Sequence, residues 1–570
     1  MKRFLKALLS VPVVLFSANA FGATLSPEVD MALQKLQANE ELSVIVNLAD
    51  KPDLTQFRNI EKRARRPKIL KELKDKAELT QRPLKDLFAK RGVRRFAPLW
   101  ITNQMAITAP ANVVRELAKI PGVKSIQLDA VIQAPSPNYG TSAGTEWNVS
   151  ALQAPDLWAM GFTGSGITVA NLDTGVDWNH PDLSGKWRGG TNSWYDPNGQ
   201  HTTPYDANGH GTQVMGIMVG GSSSGTNIGV APDSKWIAVK IFNDMGTATL
   251  STVHLGFQWL LDPDANPLTD DAPDVVNNSW SLGNINTCFN EFQNDTQVLK
   301  DAGISIVFSA GNDGPAPNTS MSPSNYSTTV SAGALDSALN IADFSSIGPS
   351  ACNGGIYPTF TAPGVNIKTA DLSYGGIIPY PYVYVSGTSF SAAHISGAMA
   401  LLSSALPSAT PAQLEGALKS TATDLGAIGP DNTYGYGLMR LADAYRSMVG
   451  SVAIDNDNDG YAADSDCNDN DPQIHPNAPE VKFDNIDQDC NGYDLTIRIT
   501  RATYSAAYKT LRVEATSSLR GNANLEVVNY GPMTWNAKLN KWIASVRKVM
   551  SKPATVNVSG VEGIETAAVK

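Results

Sequence analysis

The chain has 570 residues, of which 42% are hydrophobic and 17% charged, and its formal net charge is −10. With 11 Trp and 17 Tyr, it can bury large cores, which excludes a disordered solvating chain and a miniprotein held together by disulfides. At roughly 150 residues per domain, we expect about three or four domains. The residues up to Pro135 carry 23 Lys and Arg against 13 Asp and Glu, a net of +10, whereas the remainder has 21 against 41, a net of −20. A basic front and an acidic body predict two parts that attract each other.

Residues 1–23 have the pattern of a secretory signal peptide. Lys2, Arg3 and Lys6 precede an apolar run over 7–16, and small residues follow at 18–20 and 23, the order of regions typical of export signals. The apolar run is too short to span a bilayer. We therefore expect a secreted protein, extracellular or periplasmic, with no membrane partner, in a compartment where disulfides persist.

The positive charge of the front is concentrated between Lys51 and Phe96, with 16 Lys and Arg against 6 Asp and Glu. Apolar residues at helical spacing predict a helix with a solvated basic face. The alternative, a nucleic-acid arm, is disfavoured in an exported acidic protein, so we expect no nucleic-acid partner. Strand-like segments and a short helix complete a small α+β domain, with strands over 42–48, 100–108 and 123–128 and the helix over 113–120. A linker rich in Pro, Gly and Ser follows over 133–144, and we expect the chain to be processed there.

Four polar residues then stand at the ends of predicted strands or near the start of helices. Asp173 ends an apolar strand, His210 lies between two glycines, Asn312 follows a second strand, and Ser389 begins an apolar helix. An orienting carboxylate, an imidazole that titrates near neutrality, an amide donor and a hydroxyl are the groups that acyl transfer needs. Taken singly, each is as readily a turn or cap residue. Their joint occurrence in one α/β domain favours a catalytic site.

With these motifs the chain resembles the subtilisin-like serine proteases over about residues 147–448. The resemblance rests on four boxes: Asp173-Thr174-Gly175, His210-Gly211-Thr212, Ala310-Gly311-Asn312 and Gly387-Thr388-Ser389. It implies an α/β fold, a subtilisin-like parallel sheet flanked by helices, in a catalytic domain over 141–450.

The resemblance also implies a reaction, the hydrolysis of protein or peptide substrates through an acyl-enzyme. Ser389 would attack the peptide carbonyl while His210 takes its proton and Asp173 orients the imidazole. The Asn312 amide and the Ser389 backbone N–H would bind the oxyanion.

Substrate-binding edges are implied at Ser279-Trp280-Ser281 and Ser309-Ala310-Gly311, where an extended peptide would add a strand. The Trp280 ring has two interpretations: it narrows or covers the specificity pocket, or it packs as an aromatic at the rim. Three residues depart from the family pattern, because Ala393 replaces a usual proline, Gln213 a histidine and Ser391 an alanine. None of them supplies a catalytic group, so the departures concern local helix geometry.

The resemblance gives the basic front a role as well. Members of the family often carry an N-terminal prosegment that assists folding and inhibits the enzyme until it is cleaved, and residues 24–140 have a similar size and pattern. We therefore expect a zymogen whose own prosegment is an intramolecular inhibitor, attracted by opposite charge within the limits of screening. We expect the enzyme to be a monomer.

Residues 451–494 form an acidic segment, with 12 Asp and Glu between Asp455 and Asp494 against Lys482 alone. Oxygen side chains at alternate positions before a glycine are typical of calcium loops. The segment also resembles the Asp-rich calcium repeats of thrombospondin type, and the protease resemblance implies a further ligand in the catalytic domain. Ca²⁺ is therefore the expected cofactor, and the alternative is a solvated acidic linker. The predicted ligands are Asp455, Asp457, Asp459, Asp466, Asp487, Asp489 and Asn491 in the segment, and Asp182 in the catalytic domain.

Four cysteines allow three connectivities, and domain membership favours Cys288–Cys352 and Cys467–Cys490.

Residues 495–570 alternate apolar and polar side chains in short runs, which predicts a small β-sandwich. Tyr530 and two tryptophans there could form a binding surface, so an adhesive or polymer-binding protein is the alternative function. The two tryptophans are Trp535 and Trp542. We expect these rings to pack in the core or at an edge of the sandwich.

Overall fold

The computed structural model describes residues 23–58, 60, 62–135, 146–449, 457, 466–468, 470–476 and 478–570. Residues 1–22 of the predicted signal peptide, residues 136–144 of the linker, and Asp455 and Asp459 lie outside these described residues. The chain divides into two compact units, Met1–Met448 and Val449–Lys570. Of the helices that are described, none combines the length and the apolar character needed to cross a membrane.

The first unit begins with the small α+β arrangement that the sequence predicts. Its elements are β1 (Thr24–Leu25), α1 (Pro27–Lys35), β2 (Glu41–Leu48), α2 (Lys62–Arg91), β3 (Arg95–Leu99), β4 (Gln104–Pro110), α3 (Ala111–Leu117), β5 (Val123–Leu128) and β6 (Val131–Gln133). Strands β1 to β5 form one sheet in the order β1-β5-β2-β4-β3, and one hydrophobic cluster joins the three helices to it. The predicted strand over 100–108 is wrong in its first half, because residues 100–103 form the turn between β3 and β4 and Asn103 has a φ of 51°.

The rest of the first unit is the predicted α/β domain. Its elements are α4 (Trp147–Ala151), α5 (Ala154–Ala159), β7 (Thr168–Asp173), β8 (Trp194–Tyr195), α6 (His210–Val219), β9 (Lys235–Lys240), β10 (Thr247–Thr249), α7 (Leu250–Leu261), β11 (Val275–Asn278), α8 (Gln293–Asp301), β12 (Ser305–Ser309), β13 (Val330–Leu335), β14 (Phe360–Pro363), β15 (Ile367–Ala370), β16 (Tyr382–Val385), α9 (Thr388–Ala405), α10 (Pro411–Thr421) and α11 (Leu441–Val449). Among the described residues, seven strands form a wholly parallel sheet in the order β14-β13-β12-β11-β7-β9-β8.

Hydrophobic clusters cover the sheet on both faces, which explains why its strands are apolar almost throughout. Along β7, Val169 belongs to the cluster that contains α6 and α9. Ala170 and Leu172 belong to the cluster that contains α7 and α8. Because the carboxyl ends of parallel strands share one edge, the residues that follow β7, β11 and β12 lie together there.

The second unit contains the predicted β-sandwich. Its strands are β17 (Arg498–Ser505), β18 (Thr510–Thr516), β19 (Glu526–Val527), β20 (Gly531–Pro532), β21 (Thr534–Asn536), β22 (Lys541–Arg547), β23 (Thr555–Gly560) and β24 (Gly563–Ala568). They form two antiparallel sheets, β17-β18-β22-β21 and β20-β19-β23-β24, and one hydrophobic cluster draws on both. Trp542 is 6% exposed and packs against Trp535, so these rings are part of the core packing.

Disulfides join Cys288 to Cys352 and Cys467 to Cys490, which confirms the predicted pairing.

Candidate active site

Asp173 and His210 meet at the carboxyl edge of the parallel sheet. Asp173 is the last residue of β7 and His210 the first of α6, and His210 Nδ1 lies 2.8 Å from Asp173 Oδ1. Both side chains are almost completely buried, at 1% and 0% exposure. The close approach of helix and strand needs a glycine, because a Cβ at Gly211 would come within 2.1 Å of the Gly175 carbonyl oxygen.

The surroundings of His210 favour its charged form. Burial opposes the imidazolium, but the charge and hydrogen bond of Asp173, together with the charge of Asp206, outweigh burial and raise the pKa of His210. Asp206 is itself 5% exposed, and it accepts hydrogen bonds from the backbone N–H of Gly209 at 2.9 Å and of Thr212 at 3.0 Å. This carboxylate therefore holds the first turn of α6 while it acts on the imidazole.

Ser389 lies in the first turn of α9, where backbone N–H groups have no partner within the helix. Its side chain is buried, and its hydroxyl donates a hydrogen bond of 3.3 Å to the Ser279 carbonyl. The Ser279 hydroxyl donates in return to the Ser389 carbonyl at 2.9 Å. The pair fixes the start of α9 against the residue that follows β11.

The amide of Asn312 faces the same helix start. Its Oδ1 accepts hydrogen bonds from the Thr388 backbone N–H at 3.0 Å and from the Thr388 hydroxyl at 2.9 Å. These two bonds orient the amide so that Nδ2 is the group left to donate, and Nδ2 lies 3.7 Å from the point where a Cβ at Gly387 would stand. Because the Asn312 side chain is exposed, its amide remains available to donate beside the start of α9.

The two predicted substrate edges lie at the carboxyl ends of β11 and β12, but the Trp280 ring has neither of the two roles considered for it. Trp280 is 2% exposed, and its Nε1 donates to the Leu172 carbonyl at 3.0 Å. Its ring packs against Phe257, Phe292 and Phe308 in the core. The Trp280 side chain is therefore part of the core and not of the surface.

Sequence reasoning did not predict the short strand β10. This strand pairs antiparallel with β6, so that Thr247 lies opposite Gln133 and Thr249 opposite Val131. Two flanking backbone bonds extend the pairing, from Ala134 N–H to the Gly246 carbonyl at 2.7 Å and from Leu250 N–H to the Ala130 carbonyl at 3.0 Å. With three residues, β10 is too short to give a strand signal, and only its pairing with β6 identifies it.

The three departures from the family pattern leave the helices intact. Helix α9 runs without interruption through Ala393, which is completely buried. Ser391 donates to the Ala362 carbonyl at 3.0 Å, and Gln213 donates to Asp371 at 3.2 Å. Each polar substitute therefore has a hydrogen-bond partner of its own.

In the acidic segment, a carboxylate that the sequence did not single out joins two of the predicted ligands. Glu480, Asp487 and Asp489 each place one carboxylate oxygen within 4.8 Å of the others. Burial raises the pKa of Asp489, and the charge of neighbouring Asp487 adds to the increase. Asp466 lies elsewhere, beside the Cys467–Cys490 disulfide, and its Oδ2 is buried without a hydrogen-bond partner among the described residues. The Asn491 side chain accepts a bond from the Tyr493 N–H at 2.9 Å, and Asp457 is described without its neighbours in the predicted register.

Asp182, the ligand predicted in the catalytic domain, has hydrogen-bond partners within the protein. Its two oxygens accept hydrogen bonds from the Ser223 N–H and the Tyr382 hydroxyl, both at 2.8 Å. Lys186 lies nearby, and burial lowers its pKa to about 8, a decrease that the negative charge of Asp182 opposes. The role of Asp182 as a calcium ligand stays a prediction.

Comparisons with known proteins agree with this geometry. The family model described as "Subtilase family" matches residues 164–437. A second model, labelled copper-binding and described as "Putative metal-binding motif", matches residues 466–494.

Among curated relatives, the chain is similar to bacillopeptidase F of Bacillus subtilis (strain 168), with 35% identity over 402 residues, 63% of this chain and 27% of that protein. It is also similar to subtilisin NAT of Bacillus subtilis subsp. natto, with 32% identity over 356 residues, 62% of this chain and 83% of the relative. An alkaline protease of Alkalihalobacillus alcalophilus is 32% identical over 326 residues, 57% of this chain and 75% of the relative. The match thus spans about a quarter of bacillopeptidase F but most of the subtilisins.

Proposed function

Because the chain belongs to the subtilase family of serine endopeptidases, we propose that Ser389 is its nucleophile, His210 its general base and Asp173 the residue that orients His210. The observation that carries this assignment is the buried 2.8 Å hydrogen bond between His210 Nδ1 and Asp173. That bond places a proton on Nδ1 and leaves Nε2 as the acceptor. The carboxylate also stabilises the imidazolium that forms when His210 takes the Ser389 proton.

In this proposal Ser389 turns from the Ser279 carbonyl towards His210 and attacks the peptide carbonyl. The oxyanion is bound by Asn312 Nδ2, which Thr388 orients, and by the Ser389 backbone N–H. His210 then gives its proton to the leaving amine, and a water molecule activated by the same imidazole hydrolyses the acyl-enzyme.

We propose that substrates bind as extended segments of protein chains. Backbone groups after β11 and β12 and along β10 offer hydrogen bonds to such a segment, and these contacts do not depend on the substrate's side chains. The β6–β10 pairing supports this mode, because an extended stretch of this chain already lies on β10.

The same pairing supports a zymogen in which residues 24–140 inhibit the enzyme. Asp129 accepts hydrogen bonds from the N–H and hydroxyl of Ser251 at 2.9 and 2.6 Å, at the start of α7. Gln258, on the same helix, accepts a bond from the Trp100 N–H at 2.7 Å. The prosegment therefore has anchors on α7 as well as on β10. Secretion is part of the proposal, supported by the composition of residues 1–23 and by the two disulfides.

The catalytic assignment is tested with Ser389→Ala in the full chain. We expect casein cleavage to fall to the background rate and the prosegment to stay attached, because self-processing needs the same hydroxyl. The melting temperature should stay close to that of the wild type. Ser391→Ala is the matched control: it removes a hydroxyl from the same helix turn and should leave cleavage unchanged. Cleavage by the Ser389 variant at the wild-type rate would exclude Ser389 as the nucleophile.

We also infer that the acidic segment binds Ca²⁺ through Glu480, Asp487 and Asp489. An all-oxygen set of donors fits a hard cation, whereas copper sites favour imidazole and sulfur ligands. The two cysteines of the segment are joined in a disulfide. When bound, the ion would neutralise the three carboxylates and so hold the loops together.

The ion is identified by the melting temperature of the Ser389→Ala chain. We expect a chelator to lower the melting temperature, and Ca²⁺ but not Cu²⁺ to restore it. Asp489→Asn should abolish the calcium response, whereas Asp471→Asn, outside the carboxylate group, should retain it. A melting temperature indifferent to chelator would instead indicate a solvated acidic linker.

A further inference from the structure

The loop between α7 and β11 concentrates negative charge on the catalytic domain. Five of its residues are aspartates, in the run from Asp262 to Asp274. The first positions read Asp262-x-Asp264-x-Asn266, with oxygen side chains at alternate places. That spacing suits a hard cation, but spacing alone does not make a site.

Three of these carboxylates converge. Asp262, Asp264 and Asp271 each place one carboxylate oxygen within 4.8 Å of the others. The Asp262 side chain is 1% exposed, and its Oδ1 has no hydrogen-bond partner among the described residues. A buried carboxylate oxygen without a partner is costly, so this atom needs a cation or a donor.

The neighbouring arginine does not meet that need. Arg188 donates to the Asp271 backbone carbonyl at 2.6 Å, to Ser193 Oγ at 3.0 Å and to the Asn192 carbonyl. None of these three hydrogen bonds reaches a carboxylate of the group. Asn192 Nδ2 donates to Asp271 Oδ2 at 2.9 Å. Burial raises the pKa of Asp271, and the charges of Asp264 and Asp262 add to the increase, against the opposing effects of Asn192 and Arg188. The three carboxylates repel one another in the absence of a cation.

The basic helix α2 supplies cations to this loop. Lys74 Nζ donates to Asp262 Oδ2, Arg66 donates to Asp270 at 2.7 Å, and Lys62 donates to Asp274 at 2.7 Å. Helix α2 belongs to the segment assigned above as the prosegment. Its departure would take the ammonium group of Lys74 away from a carboxylate that is buried.

We propose that Asp262, Asp264 and Asp271 form a second divalent-cation site, of the calcium class, and that Lys74 and the cation compete for it. In the precursor Lys74 holds Asp262; in the processed enzyme the cation takes over the three carboxylates. Cation binding then opposes the return of α2, so release of the prosegment is favoured wherever Ca²⁺ is abundant. The competition between precursor and processed enzyme rests on the proposed zymogen, but the site itself does not.

The test counts Ca²⁺ bound per full chain by equilibrium dialysis. All chains carry Ser389→Ala, so the count does not depend on proteolysis or processing. We expect Lys74→Ala to add one bound ion, or to tighten calcium binding at this loop by about tenfold or more, equivalent to about 1.4 kcal/mol. Adding Asp264→Asn with Asp271→Asn to the Lys74 variant should remove the extra ion.

Lys71→Ala is the matched control, because Lys71 lies one turn earlier on α2 and pairs with Asp75 rather than with the loop. It should leave both the count and the affinity unchanged. An unchanged count and affinity in the folded Lys74 variant would overturn the proposal, as would an extra ion that survives the loss of Asp264 and Asp271.

A second measurement covers the case in which the Lys74 variant fails to fold. Processed wild-type enzyme should bind one more Ca²⁺ than the Ser389→Ala precursor, and the same Asp264 and Asp271 substitutions should remove that ion. Equal counts in processed enzyme and precursor would overturn the competition. A wild-type chain that never processes would contradict the proposed zymogen instead, while the loop site remains open to the first measurement.

Discussion

Replacing His254 by Leu should strongly destabilise the catalytic domain, because His254 is a buried cation between two carboxylates. Its Nδ1 lies 2.9 Å from Asp295 Oδ1 and its Nε2 lies 2.8 Å from Glu291 Oε1. The three side chains are 0%, 0% and 7% exposed. Burial by itself disfavours the imidazolium, but the two carboxylates outweigh it and raise the pKa of His254 to about 10.

The magnitude follows from what the substitution leaves behind. Leu fills most of the imidazole volume but donates no hydrogen bond, so Asp295 and Glu291 lose their shared cation inside the protein. Removing one partner of a buried pair costs about 3–5 kcal/mol. For a domain of this size that corresponds to a fall in melting temperature of about 6–10 °C.

The loss should depend on pH in a defined direction. The folded-state pKa of His254, about 10, lies above its ordinary value of 6.5. The stabilisation is therefore complete below pH 6.5 and is lost as the pH rises through about 10. The difference between the wild type and the Leu variant should shrink steadily over that interval. Lys51 and Asp129 also lie within electrostatic reach of the cluster, but both variants keep them, so the difference isolates His254.

The assay is thermal unfolding of the Ser389→Ala chain, with and without His254→Leu, at intervals from pH 6.5 to 10. His201→Leu is the matched control, because His201 pairs with Asp244 at 2.9 Å near the surface, at 23% and 36% exposure. An exposed pair contributes about 0–1 kcal/mol, so this control should barely change the melting temperature. Equal effects of the two substitutions, or a difference that grows towards pH 10, would refute the reasoning.

Three further outcomes are expected. Asn312→Ala should lower kcat by about 10²–10³ with little change in KM, a magnitude known for the corresponding donor in subtilisin; a KM effect alone in steady-state kinetics would contradict an oxyanion role. Asp206→Asn should move the acid limb of the kcat/KM profile to lower pH, because the charge of Asp206 helps to raise the pKa of His210; an unmoved limb would show that Asp206 acts only as a helix cap. Replacing Cys288 and Cys352 together by Ser removes a cross-link between residues 64 apart, which should cost about 4 kcal/mol; calorimetry that shows no loss would contradict this estimate.

The sequence by itself predicted the catalytic groups and the order of the layers around them. Apolar strands that stop at Asp173 and before Asn312 predict a buried parallel sheet, and a small-residue helix after Ser389 predicts close packing against it. These are short-range properties, because the apolar pattern of a strand and the start of a helix depend on residues near one another in the chain. The need for glycine at position 211 is of a different kind, because a Cβ there would meet the carbonyl oxygen of Gly175, in another segment of the chain.

Contacts between distant residues were decided only by the tertiary structure. The Trp280 ring could be placed only once three phenylalanines from other elements surrounded it. Strand β10 has no strand pattern of its own and is recognised by its pairing with β6. Glu480 becomes a candidate metal ligand only because the folded loop brings it close to Asp487 and Asp489. The basic front and acidic body predicted attraction without naming partners. Lys74 meets Asp262 across 188 residues, because charge gives only the sign of an interaction, whereas packing decides which atoms come within reach.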